Sequence, residues 1–88
     1  MELNSASRNK NSNRADAIGN LYRSALFMVR GQTELSFSFL EKAHHVLGKK
    51  LPKPIVQLMN TNGKSVDEEN RLFWAEKILD QYQLLKRG

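Results

Sequence analysis

The sequence predicts an all-α protein: a small antiparallel helical bundle of three substantial helices and one short helix, with a disordered N-terminal arm. Three observations carry this prediction. Apolar residues recur at spacings of three and four, glycines and prolines punctuate the chain between those runs, and the last run carries capping signals at both ends. With 88 residues and a mass of 10.1 kDa there is room for one domain and one core. A two-domain enzyme is excluded on length. The hydrophobic content of 40% lies above the floor of a fully disordered chain, so the chain should fold. With no cysteine, neither a disulfide nor a cysteine-based zinc site staples so small a core, which makes help from a second chain an attractive expectation.

Residues 1 to 14 are rich in Asn, Ser and charge and hold almost nothing to bury, so they read as the disordered basic arm, and residues 15 to 88 as the single helical domain. Ile18, Leu21, Tyr22, Ala25, Met28 and Val29 form an amphipathic stripe that ends before Gly31. A second helix is expected from Thr33, a suitable N-cap, through Leu35, Phe39, Leu40, Ala43, Val46 and Leu47 to a stop at Gly48. Leu35 to Leu40 alternates like a strand, but the run from Glu41 to Leu47 fits only a helix. Pro52 and Pro54 break that helix, and Pro54 sits well in the first turn of a short third one holding Ile55, Val56, Leu58 and Met59. Asn60 to Lys64 reads as a turn, with Asn62-Gly63 suited to positive φ. Ser65 and Glu68 match the capping box and predict a long final helix from about Val66 to Lys86. Asp67, Glu68 and Glu69 complement its positive end, and Lys86 and Arg87 its negative end.

At about 100° per residue the final helix gathers Leu72, Trp74, Ala75, Ile78, Leu79, Tyr82 and Leu85 on one arc. Val66, Phe73 and Leu84 fall on a separate stripe. Phe27 in the first helix and Phe37 in the second likewise stand off the main faces. Such residues are either core against a second neighbour or an exposed apolar patch for a partner helix or a second copy. Phe27, Phe37, Val66, Phe73 and Leu84 are therefore the candidate partner-binding residues. A self-complementary homodimer suits a chain with so small a core.

The net charge of +5 is unevenly spread. Arg8, Lys10 and Arg14 lie in the arm, and Lys49, Lys50, Lys53 and Lys64 occupy a stretch with no acid. Arg8, Lys10, Arg14, Lys49, Lys50 and Lys53 are the candidate contacts to phosphates or to an acidic partner. Nucleic-acid binding through them is the alternative function. Ile55 to Asn60 is too apolar to read base edges as a recognition helix.

No catalytic motif is visible: no Gly-rich phosphate loop, no cysteine nucleophile and no serine in a strand-turn-helix setting. Glu41 with His44 and His45 resembles half of a carboxylate-bundle metal motif, and reads more simply as a solvated face with a helical ion pair. No metal, cofactor or small-molecule substrate is expected. The sequence shows no apolar leader and no run near the ~18 apolar residues of a membrane span, so a cytoplasmic location is expected. The functional expectation is a non-enzymatic protein-protein interaction module, an adaptor or regulator, working through an apolar helix face bordered by charge.

Overall fold

The computed structural model describes the backbone of residues 2–61 and 63–87, with side chains from residue 13 onward. It is all-α, with α1 (Glu2–Val29), α2 (Thr33–Leu47), α3 (Lys53–Asn60) and α4 (Arg71–Arg87), and a 3₁₀ turn at Gly48–Lys50. α1 is the central helix, packed on α2 along one flank and on α4 along the other, while α3 packs on α2. α4 runs antiparallel to α1, because Arg71 at its start reaches the carbonyls of Met28 and Val29 while Leu85 near its end lies beside Arg14.

α1 includes residues whose composition suggests a disordered arm: the helical backbone begins at Glu2, and Met1 lies outside the described residues. Once Ala17 to Val29 are fixed on the core, each residue added upstream needs no new nucleus. Ala17 is the first buried residue among those described.

The helix breaks follow local turn chemistry. α1 ends in a Schellman motif, in which Gly31 at φ 83° lets its own N–H reach Met28 O at 3.1 Å and the Gln32 N–H reach Phe27 O at 2.9 Å. Thr33 proves to be the first helical residue of α2 and not its cap, since the Ser36 N–H bonds Gln32 O at 3.0 Å and the Thr33 hydroxyl turns back towards Gly31 O. Gly48 stops α2 at φ 52°. Pro52 caps α3, and Pro54 sits in its first turn.

α4 begins later than the Ser65 box predicts, at Arg71. The cap is built two residues downstream. Asp67 Oδ1 accepts from the N–H groups of Glu69 and Asn70, each at 2.9 Å, while Asn70 Oδ1 accepts from the Asp67 N–H at 2.8 Å. This is the reciprocal geometry of a capping box, with an ionised carboxylate in place of the serine hydroxyl, and the stronger acceptor wins. Ser65 instead holds Asn70 through its carbonyl at 2.7 Å and pairs its hydroxyl with Thr61 at 3.3 Å. Val66 therefore lies outside α4.

The core runs along α1 as Ala17, Leu21, Ala25 and Met28, and is completed by Leu40, Ala43 and Leu47 of α2, Leu51, Ile55 of α3, and Ala75 and Ile78 of α4. Two serines stand within it. Ser24 and Ser36 are fully buried; the Ser36 hydroxyl donates to Ser24 O at 2.7 Å, and the two hydroxyls lie 3.0 Å apart. Small side chains bring α1 and α2 close, and the mutual hydrogen bonds satisfy the polar groups that this closeness buries. Tyr22, Val29, Leu35, Val46 and Leu72, all assigned to core stripes on periodicity, are about half exposed. Each helix is covered over a narrower arc than its apolar residues span, since α2 and α4 barely meet.

Candidate functional site

An apolar groove runs along the seam between α1 and α4. Helical register puts Tyr22, Leu26 and Val29 on one wall and Leu72, Glu76 and Leu79 on the other, with Ala25 and Ala75 as the floor, around a groove of about 350 Å³. The two alanines make the depression, because no larger side chain fills the space between the walls. Tyr22, Val29 and Leu72 are 47%, 49% and 54% exposed, so three large apolar side chains converge on one opening. The seam continues towards the other end of the helices past Ile18, Gly19 and Tyr82 to Lys86. Tyr22 and Tyr82 lie on either side of it with ring centroids 5.3 Å apart.

Arginines lock the two helices in register. The Arg71 guanidinium donates to Met28 O at 2.9 Å and to Val29 O, satisfying the final carbonyls of α1 and countering the negative end of its dipole; its Nη2 also faces Glu68 at 3.6 Å. At the far end Arg14 reaches Leu85 O at 3.4 Å. Sequence reading missed the role of Arg71, which no periodicity signals because the partner carbonyls lie more than forty residues away.

The five candidate partner-binding residues are dispersed by the fold. The Phe27 ring stacks on Phe39 with centroids 5.5 Å apart, beneath the Arg30 guanidinium. Phe37 and Val66 pack against the core. At Gly63, φ is 78° and an added Cβ would stand 2.6 Å from the Phe37 ring, so the turn closes onto that ring only with glycine; Asn62 beside it lies outside the described residues. Phe73 and Leu84 remain exposed on the outer side of α4, at 52% and 59%, with Phe73 edge-on to Trp74 and beneath the Lys77 ammonium. The separate Val66, Phe73 and Leu84 stripe therefore does not form, because Val66 is outside the helix. The groove lies on the neighbouring side of α4, built mostly from residues that periodicity assigns to the core, together with Leu26 and Glu76, which it does not.

Of the candidate basic contacts, Lys49, Lys50 and Lys53 are exposed at the α2–α3 junction. Arg14 is turned to Leu85, and the side chains of Arg8 and Lys10 lie outside the described residues. Glu41 and His45 are exposed and His44 is half-buried, and among the described residues no ion pair joins them. No set of three metal-ligating side chains converges among the described residues. No described helix is long and apolar enough to cross a membrane. No protein-family model, curated protein or solved structure matches the chain.

Proposed function

We propose that the chain is a non-enzymatic, cytoplasmic protein-protein interaction module that works through the α1–α4 groove. The observation that carries this reading is the convergence of Tyr22, Val29 and Leu72, each about half exposed, on one apolar opening with an alanine floor. Grouped exposure of large apolar side chains marks contact surfaces, whereas single exposed residues do not. The shape fits an apolar helix laid along two others, in which one ridge enters one groove. Covering the exposed halves of these three side chains contributes on the order of 1 kcal/mol each. The cysteine-free composition suits a reducing compartment.

Site-specific photo-cross-linking in the cell that makes the protein tests this. A benzophenone amino acid placed at Val29 or Leu72 is expected to trap a discrete protein adduct, while the same group at Glu41 or Gln57, on surfaces of α2 and α3 away from the groove, is not. Equal yields at all four positions, or adducts at none, would contradict the reading. The alternative, contact with nucleic acid through Lys49, Lys50 and Lys53, predicts adducts or footprints centred on those residues and a steep fall of duplex affinity with salt.

A further inference from the structure

Resting on the groove as the contact surface, we infer that its occupant is a second copy of this chain, related by a two-fold axis running along the α1–α4 seam so that α1 of each copy lies on α4 of the other.

The argument starts from register. Contacts of Tyr22 with Tyr82, of Arg71 with Met28 and of Arg14 with Leu85 fix which residues of the antiparallel pair stand at the same height. Along the solvent edge of α1, beyond the groove wall, residues at heptad spacing read Asp16, Arg23 and Arg30. Along the matching edge of α4, at the same heights, they read Arg87, Asp80 and Phe73. All six are exposed. Among the described residues none of the four side chains Asp16, Arg23, Asp80 and Arg87 belongs to an ion pair, the Arg23 guanidinium merely reaching Asn20 at 3.0 Å.

A two-fold axis parallel to the helices sets each α1 edge against the α4 edge of the other copy at unchanged height. Asp16 then meets an arginine, Arg23 meets an aspartate, and Arg30 meets an aromatic ring. Every rung is complementary, and each occurs twice in an isologous dimer. Between the charged edges the two grooves close over each other, so that Leu26, Val29, Leu72 and Leu79 of both copies form a shared apolar layer. The result is an antiparallel four-helix arrangement in which each α4 gains a second neighbour.

The competing two-fold axis, perpendicular to the helices, sets α1 on α1 and α4 on α4. Centred on the groove, it brings Glu76 towards its own copy; centred on the Arg23 rung, it brings Arg23 onto Arg23 and Asp80 onto Asp80; centred between the rungs, it pairs Asp16 with Arg23 and Asp80 with Arg87 but slides the two grooves past each other, so that neither covers the other. Like charges disfavour the first two placements, and the uncovered grooves the third. Only the axis parallel to the helices satisfies the edge charges and closes the two grooves together, and the occupant that meets both conditions is a second copy of this chain.

Charge reversal tests both claims. The wild-type chain is expected to sediment as a dimer at high micromolar concentration. Arg23→Asp places two aspartates on one rung, and Asp80→Arg places two arginines there; each variant alone is expected to dimerise about tenfold or more weakly, since the rung occurs twice per dimer. Mixing the two variants restores opposite charges on both central rungs, so the mixture is expected to regain near wild-type association as a heterodimer. Circular dichroism of each variant checks that these exposed changes leave the fold intact. A wild-type chain that is monomeric at high micromolar concentration would overturn the inference. So would variants that weaken association without rescue on mixing. Either result leaves the groove reading to stand or fall separately, on whether cross-linking at Val29 and Leu72 traps a different protein.

Discussion

Truncating Ile78 to alanine is expected to lower the unfolding free energy by about 2–5 kcal/mol, the range for removing a fully buried aliphatic group whose surroundings relax only in part. Ile78 is 0% exposed and stands on the inner face of α4, where it joins Ala75 against the residues of α1 that line the core. A chain of this length holds on the order of 5–10 kcal/mol in total, so the loss is a large fraction of it. Leu84→Ala on the outer face of the same helix removes a side chain that is 59% exposed and should change stability by no more than about 0.5 kcal/mol. Urea denaturation of both variants at one fixed protein concentration makes the comparison, since association stabilises by mass action. Equal losses in the two would mean that α4 does not pack on α1 through this face.

Replacing Arg71 by methionine keeps the aliphatic stem and removes the guanidinium, and is expected to cost about 2 kcal/mol. Hydrogen bonds to a charged group contribute roughly 1.5–3 kcal/mol. Two go from this guanidinium to the carbonyls of Met28 and Val29, where the negative end of the α1 dipole adds to the attraction. The buried Nε of the same side chain has no partner among the described atoms, which reduces the net gain. Lysine should recover only part of the loss, because its ammonium is more strongly hydrated than a guanidinium and has no second nitrogen to face Glu68. The effect has a local signature: the N–H groups of Gly31 and Gln32, which close the end of α1, should exchange faster in the methionine variant. Unchanged exchange there, with stability lost elsewhere, would contradict the capping role.

The helix breaks were legible because they are local. Gly31, Gly48, Pro52 and Pro54 act within a few residues of themselves, and each stops or starts a helix where the sequence places it. The start of α4 was less so, because two capping boxes overlap, Ser65 with Glu68 and Asp67 with Asn70, and spacing alone does not rank them. The carboxylate accepts more strongly, and with Asp67 as the cap Val66 is left outside the helix to pack on the core.

Which residues are buried was only partly readable. Periodicity finds the apolar side of a helix but not how much of it a neighbour covers, so it places Leu72 and Val29 in the core although they are walls of a groove. It also passes over small polar residues, and so misses Ser24 and Ser36, whose size sets how closely α1 and α2 approach. Phe27 and Phe37 stand off the main stripes of their helices, yet both find partners within the chain, Phe39 and the turn at Gly63. The groove itself depends on how residues 22 to 29 and 72 to 79 come together across the fold, and no single stretch of sequence carries that pairing.

The most direct measurement is an isotope-filtered NMR experiment on a mixture of methyl-labelled and unlabelled chains, which reports only contacts between copies. Contacts are predicted from the methyl groups of Leu26 and Val29 in one copy to protons of Leu72, Phe73 and Leu79 in the other, with none from Leu35 or Val46. Contacts centred on Leu35, Val46 or Leu84, or none at a concentration where the groove should be filled, would contradict the account.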